Sequence, residues 1–249
     1  MKNKIQVYLA GSMFWEADRM YNALLAEKIR ERVGEYVDLY VPQENLSIND
    51  KTKCANSHDI FWGDYNRLQN CDIFIARIDG DIPPSGTSAE IGIMSQRRQY
   101  WEHEFNKFKA NYYLEYGKIP TEAQEKEYKN VEGYEPIILG LCTDSRNPRR
   151  TYLDAKNELM RTQDYESQYC YFNLFTVGCI KVNGQLTTSI DELVDALYVM
   201  VMQRVEKRYV VEKICSEARD DTFSLRRYKM VLLKYNDGTQ ETIREYQDE

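Results

Sequence analysis

The chain has 249 residues, with 33 Lys and Arg against 40 Asp and Glu, a formal net charge of -7 and only 2 His. Hydrophobic residues at 43% and charged residues at 29% exclude wholesale disorder, and a chain of this length can bury a core without staples. The acidic balance argues against a nucleic-acid polymer as partner, and two histidines exclude chemistry that needs several imidazoles. The six cysteines, Cys54, Cys71, Cys142, Cys170, Cys179 and Cys215, form no C-x-x-C pair, and neither His stands at ligand spacing from them. No metal is therefore expected, and scattered thiols fit a reducing compartment. Met1 to Leu9 reads as a strand rather than a signal sequence, and no apolar run approaches the roughly 20 residues of a membrane span. The expectation is a cytoplasmic protein without membrane contact.

In chain order, Ile5 to Leu9 is an apolar strand closed by Ala10-Gly11-Ser12. From Glu16 to Val33 the apolar positions follow helical spacing, and Gly34 stops that helix. Tyr36 to Val41 is a second strand ended by Pro42; Ser57 to Gln69 is a helix; Asp72 to Ile78 is a strand. Pro136 to Cys142 and Cys170 to Ile180 are two further apolar runs read as strands. Ile190 to Glu206 is a helix opened by a Ser189/Glu192 capping box. Nearly continuous apolar strands alternating with helices point to an α/β fold, with a five-stranded parallel sheet covered on both faces. Ligands of such sheets sit at the carboxyl ends of the strands.

Two segments fall outside this repeat. The charged, Tyr-rich stretch 97–135 is expected to prolong the helix begun near Ser88 and loop back as a helical insertion. Residues 207–249 hold the runs Tyr209 to Ile214 and Tyr228 to Tyr235 and the hairpin signal Asn236-Asp237-Gly238, read as a small C-terminal β appendage. The division is thus 1–206 and 207–249.

Candidate chemistry gathers around Asp79-Gly-Asp81-Ile-Pro-Pro-Ser-Gly86-Thr-Ser-Ala-Glu90. A buried strand ends before this loop and a helix opens near Thr87, which places Glu90 in the first turn, where free N–H groups and the helix dipole favour its ionised form. There Glu90 can act as a nucleophile toward an electrophilic sugar carbon; Thr87 with Glu90 is also an ordinary capping box. Asp64 lies on a helix face with Ile60 and Leu68, so it points inward and needs a partner or a chemical role. Two carboxylates at one pocket suit cleavage of a glycosidic bond, one as nucleophile and one as proton donor.

Val7-Tyr8-Leu9-Ala10-Gly11, Asp64 ahead of Asp72-Ile-Phe-Ile-Ala, and Ser85-Gly-Thr-Ser-Ala-Glu90-Ile-Gly together resemble the nucleoside 2-deoxyribosyltransferases. Tyr171-Phe-Asn173-Leu-Phe-Thr-Val-Gly178, followed by Asp191 to Leu197, is similar to that family's closing segment. The resemblance covers about residues 4 to 96 and 136 to 203. It implies a flavodoxin-like, doubly wound domain, no cofactor, and exchange of nucleobases on a 2-deoxyribosyl group through a covalent intermediate on Glu90. Deoxyribonucleosides and free nucleobases would be the partners. Tyr8 matches the tyrosine that positions the nucleophile, and Asp64 the acid near the base. Asn173 matches an asparagine lent by a neighbouring subunit, which implies a homo-oligomer with shared sites. Gly11 and Gly86 are the matching glycines at the substrate.

The pattern departs at two positions. Pro84 stands where many members have an Asp that contacts the base, with Asp79 and Asp81 as substitutes; Leu46 replaces a base-contacting Gln, with Gln43 and Asn45 as nearby candidates. An alternative within the same superfamily is hydrolysis of nucleoside 5′-monophosphates, and a third reading is a silent nucleotide-binding module. Phe14, Trp15 and Trp62 are expected in the core, His58 and His103 at the surface, and Arg146, Arg149 and Arg150 on a solvated loop.

Overall fold

In the computed structural model, residues 4–45, 56–80, 84–143, 173–205, 210–215, 219–220, 227–235 and 240–246 are described. Five strands, β1 (Ile5–Ala10), β2 (Val37–Tyr40), β3 (Ile73–Arg77), β4 (Ile137–Leu141) and β5 (Gly184–Thr187), pair in the order β2-β1-β3-β4-β5. Every pairing is parallel. This is the flavodoxin-like, doubly wound order.

The alternation of side chains along a strand explains why these runs are apolar on both faces. Val7, Leu9, Ile73, Ile75, Leu139 and Leu141 pack with helices α1 (Glu16–Val33) and α6 (Ile190–Val205). Their neighbours Tyr8, Ala10, Phe74, Ala76 and Ile138 point the other way. They meet α2 (Ser57–Gln69), α3 (Ser85–Tyr116) and α5 (Leu174–Asn183) through Leu68, Ile91, Met94, Val177 and Ile180. Among the described residues no helix is long and apolar enough to cross a membrane.

The helix bounds follow local chemistry. Asn56 caps α2 by accepting from the amides of His58 and Asp59, and Asp59 returns the bond. At α6, Ser189 Oγ accepts from the Glu192 amide at 3.1 Å, but the Glu192 carboxylate reaches the Thr188 amide at 2.7 Å, one residue earlier than the expected box. The 97–135 insertion is helical as expected. α3 runs on to Tyr116, stops at Gly117 in a left-handed conformation (φ 64°), and the chain returns through α4 (Glu122–Glu132). Phe108 joins the two helices, its ring stacked on Tyr128 at 4.5 Å between centroids.

The run Cys170 to Ile180 corrects the sequence reading. Cys170 to Phe172 lie outside the described residues, and Leu174 onward is α5 rather than a strand. Thr176, Val177, Ile180 and Asn183 are buried at helical spacing, whereas Phe175 and Val182 are exposed. A short, continuously apolar run does not distinguish the two states by periodicity; the Asn173 cap decides it. The fifth strand is the brief Gly184–Thr187 that follows.

The C-terminal runs form an antiparallel sheet, with β8 (Arg227–Tyr235) flanked by β9 (Gln240–Tyr246) on one side and by β6 (Val210–Cys215) and β7 (Arg219–Asp220) on the other. Residues 206–209, at the expected boundary, and Asn236 to Gly238, at the expected turn, lie outside the described residues.

β5 approaches β4 so closely that a Cβ on Gly184 would stand 1.9 Å from the Ile138 carbonyl oxygen. No rotamer relieves a clash with backbone. Gly184→Ala is therefore expected to detach β5 or shift it, at a cost of about 3 kcal/mol or more in urea unfolding.

Candidate active site

Tyr8 is the fourth residue of β1, and Tyr40 is the last of β2; parallel register sets them side by side. Their ring centroids are 5.0 Å apart. Tyr8 Oη donates to Glu90 Oε1 at 2.7 Å, and Tyr40 Oη donates to Asp64 Oδ1 at 3.0 Å. The two carboxylates come from α3 and α2, which cover the same sheet face at its carboxyl edge. The structure thus brings Tyr8, Asp64 and Glu90 together, and adds Tyr40. Only the strand register shows Tyr40; the sequence signal available was its place as the last strand residue before Pro42.

The electrostatics follow from burial. Glu90 is pushed up to about 7, chiefly by desolvation, opposed by the Tyr8 hydrogen bond and reinforced by the Asp64 charge. Asp64 is also raised by burial, against the hydrogen bonds of Tyr40 and Tyr8. Burial raises Tyr8 far beyond its ordinary value and pushes Tyr40 up to about 12, so both hydroxyls stay protonated and serve as donors. The expectation that a helix N-terminus holds Glu90 ionised is overturned. α3 begins at Ser85 after Pro84, no side chain caps it, and Glu90 falls in the second turn, beyond the reach of the dipole. Thr87 is buried and forms no capping box.

The other expected site residues take varied places. Asn45 joins the cluster, its Nδ2 donating to Tyr40 Oη at 3.0 Å. Gln43 does not: its amide donates to the Arg19 carbonyl and accepts from Asn22, stapling the short 3₁₀ turn Pro42–Glu44 to α1. Gly11 makes room for Arg77, whose Cβ would lie 3.1 Å from an added methyl. Buried Arg77 in turn holds the β1–α1 loop, donating to the Ser12 carbonyl and to Asp18 at 2.8 Å each, and to Asn22 at 3.0 Å. Asp79 accepts from the Thr143 amide at 2.5 Å and so links the loops after β3 and β4. Asp81 lies outside the described residues, as do Arg146, Arg149 and Arg150. Gly86 sits exposed at the start of α3 with open space beside it. Asn173 is exposed, and its Oδ1 accepts from the amides of Phe175 and Thr176 as the cap of α5.

Phe14 and Trp15, expected in the core, are each 76% exposed, and Trp62 is 45% exposed. Aromatics next to a helix start carry no burial signal of their own, and the loop after β1 faces away from the core. His58 and His103 are at the surface, with His58 accepting from Trp62 Nε1 at 3.0 Å. Among the described residues, no group of His, Cys, Asp and Glu could hold a metal ion. A groove of about 1370 Å³ runs along α3 past Tyr65, Ile93, Arg97, Trp101 and Tyr134, but none of the four cluster residues lines it.

A carboxyl whose pKa is raised on folding binds more protons in the folded state between its ordinary value and about 7, so its contribution falls as pH rises through that window. Neutral Glu90→Gln removes this cost. The variant is expected to exceed the wild type in unfolding stability at pH 8 by about 2–3 kcal/mol, with the difference vanishing near pH 4.5.

Residues 7–112 match the family model for nucleoside 2-deoxyribosyltransferase. No curated protein matches the chain. Among solved structures, a conserved protein from Enterococcus faecalis V583 aligns with 27% identity and a TM-score of 0.52, over 82% of this chain and 100% of its own. A 2-desoxiribosyltransferase from Leishmania mexicana aligns with 16% identity and a TM-score of 0.40, over 82% of this chain and 100% of its own. The matched segment, residues 7–112, holds Tyr8, Tyr40, Asp64 and Glu90, so the part of the chain that carries the site is similar to the nucleoside 2-deoxyribosyltransferases.

Proposed function

We propose that the protein transfers a 2-deoxyribosyl group from one nucleobase to another, by two displacements at C1′ with Glu90 as nucleophile. The observation that carries this reading is the partly buried Glu90 held by Tyr8 at 2.7 Å, with Asp64 close enough to raise its pKa. Tyr8 occupies Oε1 and leaves Oε2 for the sugar. In the first step Oε2 attacks C1′, and the bond from C1′ to the base nitrogen breaks with its electron pair on the base. Asp64 gives that nitrogen its proton. In the second step an incoming base attacks C1′, its N–H proton goes to the Asp64 carboxylate, and the bond to Glu90 breaks. The Tyr8 hydrogen bond stabilises the departing carboxylate. Splitting the exchange in two replaces one hard displacement by two easier ones, and the anion stabilises the oxocarbenium character between them.

Below about pH 7 one proton sits mainly on Glu90, and the reactive form is its tautomer with Glu90 ionised and Asp64 protonated; such a pair titrates as a unit. Gly11 and Gly86 would border the sugar, and Asp79 or Asp81 the base. Gln43 and Asn45 would act through the loop they brace. Asn173 would come from a second copy of the chain to close the sugar end, making the active unit a homo-oligomer.

Incubation with thymidine and adenine is expected to yield deoxyadenosine and thymine by chromatography; thymine alone would mean hydrolysis, and inert deoxynucleosides would end the reading. Glu90→Ala should lower kcat/KM at least about 10³-fold. The pH profile has a definite sign. With thymidine, kcat/KM should fall as pH rises through about 7, where the shared proton leaves the pair. With a 2-deoxyribosyl pyridinium, whose leaving group needs no proton, only ionised Glu90 is required. Activity should then rise through the same pH and stay high.

A further inference from the structure

We infer that Tyr40, directed by Asn45, is a positioning residue that decides which oxygen of Asp64 carries the transferable proton. The inference rests on the transfer reading, and its geometry is a chain of hydrogen bonds with only one consistent direction. Asn45 Nδ2 is a donor without a lone pair to offer, so at 3.0 Å the Tyr40 oxygen must accept from it. The single hydroxyl proton of Tyr40 is then left to point at Asp64 Oδ1, 3.0 Å away. With Oδ1 engaged as an acceptor from Tyr40, protonated Asp64 carries its proton on Oδ2.

The frame around this chain is stiff. Tyr40 ends β2 in register with Tyr8, and the backbone turns back at once through Pro42–Glu44. The Asn45 amide bonds the Pro42 carbonyl at 3.1 Å, and Arg30 grips Glu44 from α1 at 3.0 Å. Arg67 of α2 lies 5.0 Å over the Tyr40 ring. The groups that act on Asp64 are therefore Tyr40 from β2, Tyr8 from β1 and Glu90 from α3, with Arg67 acting through Tyr40. Of these, Tyr40 alone is bonded by a side chain, Asn45, that fixes the direction of its proton.

The test is Tyr40→Phe, which keeps the ring and removes the hydroxyl. With thymidine as donor, kcat should fall about tenfold with KM within about threefold. With the 2-deoxyribosyl pyridinium, which needs no proton from Asp64, the variant should stay within about twofold of wild type. A fall of equal size on both donors would mean that Tyr40 only supports the fold, and would overturn the inference. A second readout does not need turnover. In carbon-13 NMR of Asp-labelled protein, the Asp64 carboxyl should titrate at higher pH in Tyr40→Phe than in wild type, because a hydrogen bond to its charged form is gone. An unchanged titration overturns the inference. Asn45→Leu, which frees the Tyr40 proton to turn away, should move the same resonance in the same direction by less, and serves if Tyr40→Phe does not fold. A wild type inert toward every deoxyribonucleoside would sink the transfer reading, while the Asp64 titration would still decide the role of Tyr40.

Discussion

Removing an ionised carboxylate from water costs several kcal/mol unless donors replace the lost hydration. Here two carboxylates share one partly buried edge of a parallel sheet, and each has a tyrosine hydroxyl as its donor. The two tyrosines can do this because β1 and β2 run parallel and in register, so that residues 8 and 40 become neighbours. Everything chemical at the site depends on that pairing. Without it, Glu90 and Asp64 would each face a low-dielectric wall and a like charge with nothing in compensation.

The compensation is incomplete. Glu90 stays well above the ordinary carboxylate range despite Tyr8, because desolvation and Asp64 together outweigh one hydrogen bond. A carboxylate in that condition is more basic and less solvated than one in water, both of which suit attack on a sugar carbon. The neighbouring Asp64 is raised by the same kind of burial, against the hydrogen bonds of Tyr40 and Tyr8.

The opposite edge of the sheet uses charge differently. Arg204 donates to the carbonyls of Asp72 and Glu135, just before β3 and β4, and Arg97 donates to those of Leu68 and Cys71, which end α2 and enter β3. These guanidiniums add second hydrogen bonds to carbonyls such as those of Asp72 and Leu68, which already accept from the amides of Ile137 and Cys71. Arg77 does related work at the carboxyl edge, where it ties the Gly11–Ser12 loop to α1. Cations thus brace both edges, whereas paired carboxylates and tyrosines occupy the carboxyl one.

Sequence alone determined four of the five strands, the helices over 16–33 and 57–69, the helical insertion and the C-terminal strand pairs. Each carries a periodicity or a stop signal that acts over a few residues. Motif spacing and an inward-facing acid also singled out Tyr8, Asp64 and Glu90 along the chain, and the structure brings these three side chains together. Local signals failed where a short apolar run suits either state, as at 174–183, and where a cap pattern such as Thr87 to Glu90 proved to lie inside a longer helix. Tertiary structure alone decided the rest: that Tyr40 meets Asp64, that Asn45 directs Tyr40, and that burial rather than a helix dipole sets the charge of Glu90. The physical reason is that strand register and desolvation are properties of segments far apart in the chain. No pattern within one segment encodes what another will place against it.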